Sequence, residues 1–183
     1  MISNKTNDFK ASGILIRTKI GDEQYYFMSL EKKRGLWGDI GGKHDNKDKS
    51  ILETAIREFN EETNNLFFLD DVDLFGKTSQ LIQEYFSKEI KIYHSKYLIY
   101  LLDIPIYQIP WLKKYNLDFN NVNNLRKITK EHFGEIENQN GLERELSFIS
   151  QSEFINLSNK KKINPRLYCK LLLQSKKINL RNM

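Results

Sequence analysis

Ser50-Ile51-Leu52-Glu53-Thr54-Ala55-Ile56-Arg57-Glu58-Phe59-Asn60-Glu61-Glu62 is the stretch that decides the fold. Ile51, Leu52, Ala55, Ile56 and Phe59 form one apolar stripe at the 3.6-residue period, which predicts an amphipathic helix over about 51–63. Ser50 followed three residues later by Glu53 reads as a capping box, and Asn64 or Asn65 offers the left-handed residue that closes a helix when glycine is absent. On that helix Glu58, Glu61 and Glu62 stand three and four residues apart, so their carboxylates project from neighbouring turns of one face. Like charges so placed repel by about 0.2–0.5 kcal/mol per exposed pair, and by more when desolvated, so something positive belongs among them.

A hard divalent cation such as Mg²⁺ meets that need, because it is held by a few carboxylates together with waters and phosphate oxygens. Such an ion polarises a phosphoryl oxygen and activates water. Arg57, four residues before Glu61, is placed to orient that carboxylate. A bare cluster of glutamates is otherwise the solvent face of an amphipathic helix; the glycines before it tip the balance. Gly35, Gly38, Gly41 and Gly42 lead into the polar run His44 to Lys49, a use of backbone permissiveness just ahead of the carboxylate helix.

Outward from this core, Ile14 to Ile16, the turn Ile20-Gly21-Asp22-Glu23 and Tyr25 to Leu30 predict a hairpin. Downstream, Leu66 to Leu69, Leu74 to Gly76 and Leu81 to Phe86 read as strands or strand ends, and Ile90 to Leu102 as a long β-rich run. Pro105 and Pro110 break the pattern, and about 105–133 reads as an irregular or partly helical insertion ending near Gly134. Glu145 to Ile149 predicts a further strand, Ser152 to Leu157 a short helix, and Asn164-Pro165 the start of a last helix with Leu167, Leu171 and Leu172 as its stripe. Without a regular βαβ rhythm, the pattern predicts one α/β domain over 1–183, a mixed sheet covered by helices on both faces.

Gly42, then the loop, then Arg57-Glu58-Phe59-Asn60-Glu61-Glu62, preceded by Trp37-Gly38-Asp39-Ile40-Gly41-Gly42-Lys43, resembles the box of the Nudix hydrolase superfamily. That box is a glycine, five residues, a glutamate, seven residues, then Arg-Glu-apolar-x-Glu-Glu-x-Gly-apolar. Here the loop is one residue longer, so Asp48 or Lys49 falls at the first glutamate; Asn64 replaces the final glycine, and Ile40 stands where many members have proline. The resemblance implies a Nudix-type α/β/α sandwich and a metal-dependent pyrophosphohydrolase. It implies that Glu58, Glu61 and Glu62 ligate Mg²⁺ or Mn²⁺, that Glu61 or a glutamate outside the box deprotonates the attacking water, and that Arg57 orients the carboxylates. Glu62 thus counts with Glu61 and Arg57 in the catalytic set. A Gly41-Gly42 turn ending at Lys43 would bring backbone groups close to metal and phosphate. Members often add a carboxylate from a late loop or strand; Glu143 and Glu145 are the first candidates here, then Glu135 and Glu137.

The resemblance further implies a nucleoside diphosphate linked to another group as substrate. Trp111 and Tyr25 are the candidates for stacking on a base, whereas core packing suits Phe27 and Trp37 better. The net charge of +5 and pI near 9.1 fit a polyanionic partner, a nucleotide or a capped RNA, which makes mRNA decapping one expectation. The alternatives are a small-nucleotide hydrolase acting on nucleoside triphosphates, dinucleotides or nucleotide sugars, and a catalytically silent binding module. Cys169, the only cysteine, excludes an internal disulfide. No run approaches the roughly 18 apolar residues of a membrane span, Met1 to Lys10 lacks the pattern of a secretory signal, and an intracellular, cytoplasmic protein with no membrane association is expected. No protein partner is evident.

Overall fold

A computed structural model describes residues 8–69, 71–115, 121–134, 136–137 and 143–167. Its strands are β1 (Ala11–Ile20), β2 (Glu23–Glu31), β3 (Leu36–Gly38), β4 (Ile40–Lys43), β5 (Phe86–Ile92), β6 (Tyr97–Asp103), β7 (Ile136–Glu137) and β8 (Glu143–Ser150). The α-helices are α1 (Ile51–Glu62), α2 (Leu74–Tyr85), α3 (Val122–Phe133) and α4 (Gln151–Asn159). The strands form a single mixed sheet in the order β5-β6-β1-β2-β8-β7, with β3 paired to β2 and β4 to β1. β1 runs parallel to β6 and antiparallel to β2 and β4, which makes it the central strand.

Side-chain alternation along the strands separates two apolar layers. Ile14, Ile16, Phe27, Leu146 and Phe148 face α1, α2 and α3, meeting Ala55, Phe59, Ile82, Leu125 and Phe133. Leu15, Tyr26, Met28, Ile99 and Ile149 face the other way, onto Phe154 of α4 and onto Ile163 and Leu167. The mixed sheet is therefore flanked by helices on both faces, as its sequence pattern predicts.

Helix α1 ends within a residue of its predicted boundary. Ser50 Oγ accepts the Glu53 N–H at 3.1 Å, while the Glu53 carboxylate accepts from Lys49 N at 2.7 Å, one residue ahead of the cap. Asn64 and Asn65 both adopt left-handed backbone, with φ of 50° and 60°.

The chain between α1 and β5 corrects the strand assignments made there. Residues 66–68 form a 3₁₀ turn, and 74–85 form α2. Asp73 caps this helix by accepting the Gly76 N–H at 2.9 Å, and Thr78, Leu81 and Ile82 supply a buried face at helical spacing. Aromatic and β-branched side chains favour strands only where a sheet offers them a neighbour, and here α1 is the neighbour. The run from Ile90 to Leu102 is two antiparallel strands folded about a 3₁₀ turn at Tyr93–Ser95, closed by left-handed Lys96.

The described residues of 105–133 form 3₁₀ and α-helical segments with no strand among them, as the partly helical reading expects, and they pack into the core. Trp111 and Leu112 lie in a 3₁₀ helix, Leu125 and Phe133 on α3, and all four belong to the core. Arg126 fastens α3 to β8, its Nε donating to the Phe148 carbonyl at 3.0 Å and its Nη2 pairing with Glu153. Pro165 begins a helical turn as its cap and position predict; Leu171, Leu172, Cys169 and Glu135 lie outside the described residues.

Candidate functional site

β4 carries Gly41 and Gly42 alongside β1, with Gly41 opposite Gly13 and Gly42 opposite Ser12. The expected glycine turn is thus a paired strand, and neither residue has a positive φ. Close approach is what demands glycine. A Cβ on Gly41 would lie 2.3 Å from Gly13 Cα, and one on Gly42 2.3 Å from Glu58 Oε2. The missing side chain at Gly42 is the space in which the Glu58 carboxylate sits.

Helix α1 lies across this strand and delivers its glutamates unequally. Glu62 is 5% exposed and accepts the Gly41 N–H at Oε2, 3.1 Å away, while Arg144 Nη2 lies 2.8 Å from Oε1. Glu58 is largely buried over Gly42, and Glu61 is half exposed. Burial pushes the Glu62 carboxyl up to about 8 against the opposing pull of Arg144, and the Glu58 charge adds to the rise. Burial likewise raises Glu58, with the Arg57 guanidinium opposing it.

Arg57 is the hub. Its Nη1 donates to Glu58 at 3.0 Å and to Glu61 at 3.1 Å, its Nη2 to the Lys43 carbonyl at 2.9 Å, and its Nε and Nη2 to the two oxygens of Asp48 at 3.0 Å each. Asp48, not Lys49, therefore meets the arginine from the lengthened loop. Lys43 contributes its carbonyl to this cluster, and its side chain is exposed.

Beneath β4 is a second polar layer. Asp39, 1% exposed, accepts from Tyr97 Oη at 2.7 Å and from Arg166 Nε at 3.1 Å, and the guanidinium stacks 4.0 Å over the Tyr97 ring. A Cβ on Gly41 would come within 2.6 Å of Tyr97 Oη, so this layer also fixes the strand that presents the Gly41 N–H.

Other expected site residues lie elsewhere. Glu143 pairs with Lys32 at 3.5 Å, and the pleat of β8 turns Glu143 and Glu145 away from the face occupied by Leu146 and Phe148. The β8 side chain that reaches the carboxylate helix is Arg144. Sequence gave one usable signal for it: alternation from Leu146 and Phe148 places residue 144 on the same face. Base stacking by Trp111 is corrected: the ring is fully buried, stacked on His132 with centroids 4.9 Å apart. Tyr25 is also buried, with its hydroxyl 3.3 Å from Glu23. Both aromatic rings are spent on the core.

Among the described residues, no three His, Cys, Asp or Glu side chains are gathered as a ready-made metal cage. The donor chemistry still fits a hard cation that needs only one or two carboxylates, since the four carboxylates of Asp48, Glu58, Glu61 and Glu62 face only two guanidiniums.

No family model matches the chain. An uncharacterised protein of Acanthamoeba polyphaga mimivirus is 40% identical over 65 residues, covering 33% of this chain and 21% of that protein. The match thus spans about a fifth of its relative's length, and the relative carries no assigned activity. Among the described residues no helix is long and apolar enough to cross a membrane.

Proposed function

We propose that this chain is a divalent-metal-dependent, Nudix-type hydrolase that cleaves a phosphoanhydride bond in a nucleoside-diphosphate-linked substrate. The observation that carries the proposal is the convergence of the buried Glu62 and the largely buried Glu58 on the Gly41-Gly42 strand, with Arg57 drawing Glu61 to the same edge. Burying acidic groups together is costly unless opposite charge arrives, and two guanidiniums leave the cluster negative.

Glu58 and Glu62 would hold Mg²⁺ or Mn²⁺, and Glu61 would complete the set. When bound, such an ion polarises a phosphoryl oxygen and acidifies water. The chain's own residues supply order around it. Gly41 N–H fixes one oxygen of Glu62, Arg57 fixes Glu58 and Glu61, and Asp48 fixes Arg57. Glu61, the most exposed of the three, is the carboxylate with freest access to water and takes up its proton.

With Trp111 and Tyr25 committed to the core, base recognition falls to other residues. The basic charge keeps an RNA 5′ cap first among substrates to test. The test is a panel of capped RNA, nucleoside triphosphates, dinucleotides and nucleotide sugars with Mg²⁺ or Mn²⁺, comparing wild type with Glu62→Gln. Metal-dependent turnover by wild type, lost in Glu62→Gln, supports the proposal, and the leaving group identifies the substrate class. Wild type inert on the whole panel would favour a binding module.

A further inference from the structure

Two guanidiniums stand among the carboxylates, and they are spent differently. Arg57 uses Nε, Nη1 and Nη2 on Asp48, Glu58, Glu61 and the Lys43 carbonyl, all between 2.9 and 3.1 Å. Among the described residues Arg144 has one close contact, Nη2 to Glu62 Oε1 at 2.8 Å. Its Nη1 reaches Ser29 Oγ only at 3.4 Å, and its buried Nε has no partner among the described residues. A guanidinium carries five N–H donors in a planar fork that matches carboxylate and phosphate alike. Of the two guanidiniums, Arg144 is therefore the one that, among the described residues, has donors to spare for an incoming anion.

Glu62 faces the same constraint from the other side. Gly41 N–H engages one oxygen and Arg144 the other, so a cation that reaches Glu62 must compete with the Arg144 charge. Once a divalent ion neutralises the cluster, the guanidinium loses its partner just as a substrate brings phosphate charge to the site.

We propose that Arg144 is a substrate-binding residue held in reserve: it pairs with Glu62 in the cation-free protein and turns to a phosphoryl oxygen of the substrate when a divalent cation takes over Glu62. This rests on the phosphoanhydride-hydrolase proposal. Arg144 stands on β8 beside Leu146, opposite Glu31 of β2, with its side chain 16% exposed, and Glu31 has its own partner in Arg34 at 3.6 Å.

The experiment titrates Mn²⁺ alone into wild type, Arg144→Met and Arg144→Lys, following free Mn²⁺ by electron paramagnetic resonance. Binding of α,β-methylene-ADP is then measured by calorimetry at saturating Mn²⁺. Arg144→Met is expected to bind Mn²⁺ about three- to tenfold more tightly, because a competing charge is gone, and the methylene diphosphate roughly tenfold more weakly. Arg144→Lys keeps the charge, so its Mn²⁺ affinity stays near wild type, yet it regains only part of the diphosphate affinity because an ammonium lacks the fork. Arg144→Met with unchanged or weaker Mn²⁺ binding at an unchanged melting temperature overturns the exchange. If Arg144→Met fails to fold, Arg144→Lys decides: diphosphate affinity equal to wild type overturns the substrate role, and selective weakening supports it. Wild type that binds no Mn²⁺ overturns the parent proposal and this one with it, whereas Mn²⁺ binding indifferent to residue 144 overturns this one alone.

Discussion

Arg57 and Asp48 meet fork to fork, with Nε and Nη2 of the arginine each 3.0 Å from a different oxygen of the carboxylate. Asp48 also accepts from Thr54 Oγ1 and from Asp45 N, both at 3.0 Å, so the loop before α1 is pinned to the second turn of that helix. Arg57 in turn holds Glu58 and Glu61. Asp48→Asn is expected to lower unfolding free energy by about 1–3 kcal/mol, the range for removing one partner of a charged hydrogen bond, and to weaken Mn²⁺ binding because the hub loses its anchor. Urea denaturation and Mn²⁺ titration of the same preparation check both. Unaltered Mn²⁺ affinity would confine Asp48 to a structural part.

The same pair sets an acid limit. Hydrogen bonds from Arg57, Asp45 and Thr54 overcome the effect of burial and hold the Asp48 carboxyl down at about 2, below its ordinary 3.8. For an acid whose folded pKa is depressed, the stabilisation is fully present above the unfolded value and is lost as pH falls through the folded one. Wild type should therefore lose on the order of 1–2 kcal/mol from this pair between about pH 4 and pH 2, after allowance for solvent screening, a step that Asp48→Asn lacks. Chemical denaturation at a series of acid pH values measures the difference between the two proteins.

Gly41 and Gly42 make separable predictions. A Cβ on Gly42 meets the movable Glu58 carboxylate, whereas one on Gly41 meets the Gly13 and Ser12 backbone at 2.3 and 2.4 Å. Gly42→Ala should stay folded with a loss of about 1 kcal/mol and bind Mn²⁺ at least several-fold more weakly, since Glu58 is pushed off its seat. Gly41→Ala should cost about 3 kcal/mol or more, because paired strands cannot part without losing their ladder. Thermal melts and Mn²⁺ titrations distinguish these outcomes.

Legibility of the sequence followed the range of the interactions involved. Helix α1 was readable because its stripe, its cap Ser50 and its carboxylates are all set within a dozen residues. Helix α2 was misread because Ile82, Tyr85 and Phe86 are good strand formers, whereas packing against α1 selects the helical face of Thr78, Leu81 and Ile82. Arg57 and Glu61 lie one turn apart and were legible; Arg144 and Glu62 lie 82 positions apart by their residue numbers and became neighbours only through the β2–β8 pairing. The Asp39, Tyr97 and Arg166 layer left no local signal either, since each residue comes from a different part of the chain.

Trp111 illustrates the same limit from the core. It follows Pro110 in a stretch without periodicity, yet its ring is buried, stacked on His132 and edge-on to Phe133 at 5.1 Å. Trp111→Ala should cost about 3–5 kcal/mol, the range for removing a large aromatic from a packed core. A ligand-stacking role predicts instead weaker nucleotide binding at nearly unchanged stability. Guanidinium denaturation alongside α,β-methylene-ADP binding separates the two.

Glu62 provides the pH test of cation binding. Burial raises its carboxyl to about 8 despite Arg144, so a proton competes with a cation for this oxygen pair near neutral pH. A cation ligates the carboxylate and not the acid, so binding must expel that proton, and affinity should climb as pH rises from about 6.5 and level off above about 8. The sign is fixed by the raised pKa: an ordinary carboxyl near 4.5 would give a flat profile over this window. Calorimetric Mn²⁺ titrations in buffers of different ionisation enthalpy report the protons released, up to about one per ion at pH 7. Glu62→Gln has no proton to lose at this position, so its residual Mn²⁺ binding should be weaker and less steeply dependent on pH, with the raised Glu58 carboxyl still contributing. A wild-type profile as flat as that of Glu62→Gln would place the ion away from Glu62 and leave Glu58 and Glu61 as its only ligands on α1.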